Sequence, residues 1–201
     1  MNPTRRRLCV ATALALAWPV AARAQGAAPV VVKGQAFDRV LPLAGSTLVL
    51  NGTGVRAVAW FTGFAAGLYL TARASTAAQA LAMPGPKRLQ LRLLHDVPTS
   101  EFAKAFKNGV LRNASPAEQA LLAVRMGRFE AQVRATAKVR QGDVINLDFD
   151  PQQGTSFSVN GTLRGEAIGG ADFYAALLLT FVGDKPFDTK LRAGLLGNPG
   201  G

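Results

Sequence analysis

The chain has 201 residues, with 23 basic and 12 acidic side chains, one histidine and one cysteine. One cysteine leaves no intrachain disulfide, and with a single histidine it excludes a zinc centre of the usual His/Cys type. The surplus of basic residues is scattered, and no Lys/Arg block is interleaved with stacking aromatics. It therefore reads as solvated surface rather than a nucleic-acid-binding face.

In chain order, Arg5, Arg6 and Arg7 precede an apolar run from Leu8 to Ala22, followed by Ala22-Arg23-Ala24. A basic n-region, an h-region and a small-x-small cleavage site make residues 1–24 a signal peptide. The run is short of the roughly 20 apolar residues of a membrane span, so no stable span is expected after cleavage. Thr4-Arg5-Arg6 carries a weak twin-arginine resemblance. The expected protein is exported and periplasmic. Removing the four arginines of the signal leaves 19 basic and 12 acidic residues, a net charge of +7 and no cysteine. About 177 residues remain, enough for one domain with a sizeable core.

Residues 25–36 form a linker and first strand, and residues 37–197 the domain. Strands are expected at Val30–Lys33, Phe37–Leu43 and Ser46–Leu50, with Asn51-Gly52-Thr53-Gly54 as a glycine-rich hairpin turn. Val55 to Leu70 is aromatic-rich and apolar on both faces, which predicts one or two buried strands. Ser75–Met83 has alanine-rich helical character and stops at Pro84-Gly85-Pro86. Leu89, Leu91 and Leu93 alternate with Gln90 and Arg92 as a half-buried strand. Phe102, Ala105, Phe106 and Val110 recur at helical spacing over Ser100–Leu111. Ser115-Pro116-Ala117-Glu118 is a capping box with proline at the first helical position, leading into Leu122, Met126, Phe129 and Val133 on one face. Strands at Asp143–Phe149, Thr155–Val159 and Thr162–Ile168 follow, and helices at Asp172–Val182 and Asp188–Leu196 close the chain. This order predicts an α+β fold with a mostly antiparallel sheet.

Arg56 is the only charged residue between Arg39 and Arg73. Desolvating an unpaired charge costs several kcal/mol or more, so this cation must reach water, find acceptors or await an anionic or carbonyl-bearing ligand. The structural alternative is an arginine at a strand end, with its stem on apolar surface and its guanidinium in solvent. In a regular strand Val58, Trp60, Thr62 and Phe64 share its face, making an apolar wall with one cation at its mouth and one hydroxyl along it. Such a wall suits a ligand with a hydrophobic body and an anionic or carbonyl head. Tyr69 falls on the other face unless a bulge at Gly63 or Gly67 switches the register.

Other polar groups carry less. His95 shares strand parity with Leu89, Leu91 and Leu93 and reads as a structural residue at a strand end. Asp143, Asp148 and Asp150 fall on both faces of a hairpin, which argues for solvation rather than a metal site. No serine lies in a Gly-x-Ser-x-Gly elbow. Neither a metal nor a cofactor is expected.

Asn51-Gly52-Thr53-Gly54-Val55-Arg56, followed by Ala65-Ala66-Gly67-Leu68-Tyr69-Leu70, resembles the opening strand pair of the chalcone isomerase fold, particularly its exported bacterial branch. Leu81 to Arg88, Ser158-Val159-Asn160-Gly161, Gly170-Ala171-Asp172-Phe173 and Val182-Gly183-Asp184-Lys185-Pro186 extend the similarity across Phe37 to Gly197. The resemblance implies an open-faced β-sandwich, a large antiparallel sheet backed by a layer of helices with a ligand cleft between them. In plant chalcone isomerases this cleft closes a chalcone into a flavanone, and related non-catalytic members bind fatty acids. The arginine of the Gly-Val-Arg motif, shared by both, matches Arg56 and would hold an oxyanion or carboxylate through charge-assisted hydrogen bonds. The isomerase's catalytic threonine falls at Phe64, and its catalytic tyrosine near Ser100 or Glu101. Its helical asparagine corresponds to Asn108, and a late hydroxyl residue to Thr180.

The expectation is a non-catalytic protein that binds a small amphipathic molecule, a fatty acid or a phenolic, with Arg56 at the head group and Trp60, Thr62, Phe64, Tyr69, Asn108 and Thr180 around it. The alternatives are an isomerase or intramolecular lyase that clamps an oxyanion with Arg56 and Asn108, and a structural envelope module with Arg56 bonded to backbone carbonyls.

Overall fold

A computed structural model describes residues 27–58, 61–136 and 138–198. Strands β3 (Val40–Leu43), β4 (Ser46–Val58), β5 (Phe61–Leu70), β6 (Lys87–Leu93), β7 (Val144–Asp150), β8 (Gly154–Val159) and β9 (Thr162–Leu163) form one antiparallel sheet in sequence order. A separate hairpin, β1 (Val30–Val32) and β2 (Gln35–Phe37), precedes it. The helices are α1 (Ala77–Ala82), α2 (Thr99–Asn113), α3 (Pro116–Ala135), α4 (Ala171–Val182) and α5 (Thr189–Leu195). The fold is α+β, an open-faced sandwich of one large sheet and a helical layer. The predicted signal peptide, Met1–Ala24, lies outside the described residues.

Alternation along the strands divides the apolar residues between two clusters. Phe64, Ala66 and Leu68 of β5, Leu89, Leu91 and Leu93 of β6, and Ile145 and Leu147 of β7 face the helices and join the main core. The capping box at Ser115 and Glu118 forms, and Leu122, Met126, Phe129 and Val133 of α3 are buried in the same core. On the outer face, Leu48, Leu50, Ala65 and Tyr69 pack with Phe37 of the small hairpin as a second cluster.

Four expectations change. The strand expected at Phe37–Leu43 divides, with Phe37 in β2 paired to β1 and Val40–Leu43 forming β3 against β4. Asn51-Gly52-Thr53-Gly54 is no turn but lies inside β4, because α5 packs directly on it. A Cβ on Gly52 would lie 2.8 Å from the Leu195 carbonyl oxygen, and one on Gly54 2.8 Å from that of Leu191, so side chains here would push the helix away. The strand at Thr162–Ile168 is only the two-residue β9, after which Ile168 returns to bridge Thr155. Lys87 and Arg88 depart from the expectation that the basic surplus is solvated surface. Lys87 is buried on the helix side, where its ammonium donates to Met83 O and lies 5.3 Å from the Phe149 ring centroid, and Arg88 binds Asp148 through two hydrogen bonds of 2.6 Å.

Candidate functional site

The face on which Arg56 projects is set by an irregularity five residues before it. Leu50 pairs with Tyr69 and Gly52 with Leu68, so Asn51 is the extra residue of a β-bulge. Before the bulge, even-numbered residues of β4 face the outer cluster; after it, Gly52, Gly54 and Arg56 stand opposite Leu68, Ala66 and Phe64 on the helix side. Asn51 is held by its own side chain, whose amide donates to the carbonyls of Ala74 (2.9 Å) and Leu195 (2.7 Å) while its oxygen accepts from Ala74 N–H (2.6 Å). The bulge thus ties β4 to the loop after β5 and to α5, and turns Arg56 toward the helices.

There Arg56 lies in a polar cleft of about 350 Å³ between the end of β4, one side of α2, and Pro186-Phe187 in the connection from α4 to α5. Helix α2 contributes Glu101, Lys104, Asn108 and Arg112, which three- and four-residue spacing aligns on one stripe. The Arg56 guanidinium stands 4.8 Å from the centroid of Phe187 and 6.0 Å from that of Phe64, and the Arg112 guanidinium 5.8 Å from Phe187. Among the described residues the Arg56 side chain forms no hydrogen bond and no ion pair. The backbone-carbonyl contacts of the structural-module alternative are therefore not made by any described residue. Burial lowers the Arg56 pKa; Asp188 acts against this and Arg112 with it. A guanidinium keeps its charge at physiological pH all the same. The cleft combines three cations, one acid and an amide, a set that favours an anion over a cation.

Beneath the cleft the layer between sheet and helices is filled by rings. Phe187 packs 5.0 Å from Phe181 at 89° and 5.9 Å from Phe106, while Phe64 lies 6.4 Å from Phe181. Edge-to-face arrangements of this kind are favourable beyond the area they bury.

The structure brings only part of the expected set together. Arg56 and Asn108 share the cleft, and Phe64 lies behind Arg56, buried in the main core. Thr62 is paired with Ala57 across the β4–β5 hairpin, not placed further along Arg56's strand. The regular strand running from Arg56 through Phe64 is replaced by that hairpin, and Trp60 lies outside the described residues. A second irregularity, at Gly63, does occur, but Gly67 pairs regularly and Tyr69 stays on the outer face. Burial, reinforced by Asp38, raises the Tyr69 pKa to about 12. Thr180 is fully buried, its hydroxyl donating to Leu177 O at 2.7 Å and its side chain filling the space over Gly109. It supports the α2–α4 crossing rather than the cleft. Glu101, Lys104, Arg112 and Phe187 were not anticipated as site residues; the 101-104-108-112 spacing on α2 was the available signal.

An antiparallel sheet with a helical layer and an arginine-headed cleft at the end of its second strand defines an open-faced sandwich with a polar, cation-rich mouth. Residues 29–197 match the family model described as chalcone isomerase-like, and the chain belongs to that family. No curated protein matches it by sequence. Among solved structures it is similar to the crystal structure of an Arabidopsis thaliana fatty-acid binding protein, with a TM-score of 0.64 and 16% identity over 85% of this chain and 97% of that one.

Proposed function

We propose that the protein is a non-catalytic binder of a small amphipathic anion, a fatty acid, whose carboxylate is held at Arg56. The observation that carries this reading is an arginine with no hydrogen-bond acceptor among the described residues, in a cleft where Lys104, Asn108 and Arg112 supply further donors. A carboxylate there gains charge-assisted hydrogen bonds in a partly desolvated setting. The fatty-acid binding of the Arabidopsis protein supports the ligand class, since the two share a fold. Phe64 and Glu101, at or near the positions where the resemblance puts the isomerase's threonine and tyrosine, offer neither a hydroxyl to orient water nor a phenol, which supports binding without catalysis. In this reading the exported, periplasmic form is the one that meets the ligand, as the amino-terminal sequence pattern suggests.

Native mass spectrometry after gentle extraction, on wild type and Arg56→Ala, tests the proposal. A co-purifying or added fatty acid retained by the wild type and lost by the variant is the expected result. A wild-type protein that stays empty in the presence of added acids sinks it. The placement of Asn108 beside Arg56 favours the isomerase as second reading. Arg56-dependent acceleration of a chalcone ring closure is what it requires, and no acceleration ends it for that substrate.

A further inference from the structure

We infer that Phe187 is a side-chain plug: its ring occupies the place that the first methylenes of an acyl chain take once the carboxylate sits at Arg56, and the chain enters by displacing it. The inference rests on the fatty-acid reading above and supplies what that reading lacks, a path from the cleft into the apolar layer.

Three observations carry it. Phe187 is half-buried, whereas Phe64, Phe106 and Phe181, the other rings of its aromatic group, are buried. Its ring touches both zones at once, 4.8 Å from the Arg56 guanidinium on the polar side and 5.0 Å from Phe181 on the apolar side. Its backbone is pinned. Phe187 N–H donates to Thr180 O at 2.8 Å, Asn113 accepts from Lys185 N–H at 3.1 Å and donates to Lys185 O at 2.9 Å, and Asp188 caps α5 by accepting from Leu191 N–H at 2.9 Å. With the chain fixed on both sides, the ring leaves by rotating about its own side-chain bonds, a motion far faster than loop opening. An acyl segment then replaces the ring against Phe106 and Phe181, so the apolar surface uncovered is covered again.

A closed plug lowers apparent affinity by the fraction of molecules in which the ring has moved aside, and truncating the ring removes that penalty. Calorimetric titration with octanoate of wild type, Phe187→Ala, Phe187→Leu and Arg56→Ala separates the claims. For an open fraction on the order of one in ten, Phe187→Ala binds octanoate about 10-fold tighter than wild type, with Phe187→Leu between them. In wild type the Phe187 ring resonances, assigned by comparison with Phe187→Leu, shift on binding. Equal or weaker binding by both Phe187 variants, or octanoate bound to wild type with those resonances unmoved, overturns the plug and leaves the head-group reading intact. Tighter binding by Phe187→Ala together with unchanged binding by Arg56→Ala overturns the head-group reading instead. No binding by any of the four proteins overturns both.

Discussion

Arg56 owes its place in the cleft to Asn51. In an unbroken strand Leu48, Leu50 and Arg56 would share a face, and the guanidinium would point to the outer cluster with Phe37 and Tyr69. The one-residue bulge reverses this, and the Asn51 side chain holds it in place by donating two hydrogen bonds and accepting one. Asn51→Asp puts an oxygen where the amide NH₂ now faces two carbonyls, and the expected cost is about 3 kcal/mol from lost bonds and repulsion. Urea unfolding checks this as a lower midpoint at unchanged slope; a midpoint within error of wild type would show that the amide does not hold the bulge. Arg56 itself was legible as a lone cation in an apolar stretch. Its face was not, because nothing in Leu50-Asn51-Gly52 distinguishes a bulge from a turn without the segments Asn51 bonds to, at Ala74 and Leu195.

Local helix signals act where they are self-contained. The Ser115 and Glu118 side chains form the reciprocal bonds that their spacing predicts, and Thr76 with Gln79 forms a second capping box at α1. Ser115→Ala removes an acceptor for an otherwise orphaned helix N–H, and a loss of about 1 kcal/mol is expected. Thermal unfolding would register it as a drop of a few degrees. Glycine carries no such local signal. Gly52 and Gly54 look like turn residues in the sequence, but they let the backbone of α5 rest directly on β4, a close approach that glycine permits for want of a Cβ. A pairing between residues this distant in the chain leaves no local trace.

For the molecule as a whole, two clusters on opposite faces of one sheet supply the cohesion, and each buries one of the chain's two tyrosines. Burial raises the Tyr174 pKa well above the ordinary value and that of Tyr69 to about 12. Both shifts favour the neutral phenol in the folded state. Their contribution to stability is therefore complete below the unfolded pKa of about 10 and is lost as pH rises through the folded values. Phenolate absorbance should accordingly appear only above pH 10 and together with loss of circular dichroism, in one alkaline transition. Tyrosine titration near pH 10 with the fold intact would contradict the burial of both rings.

The sequence by itself determined the α+β class, the order of the main elements, the core-facing residues of β6, α2 and α3 and the choice of Arg56 as the charge needing an explanation. Periodicity, caps and the isolation of one cation are properties of neighbouring residues. Only the tertiary structure decided which face Arg56 occupies, that the polar stripe of α2 stands beside it, that Tyr69 and Thr180 do not, and that Phe187 covers the apolar layer below. Those facts depend on a bulge and on helix–strand contacts between segments up to 144 residues apart, which hydrogen bonding and packing settle once the chain has folded.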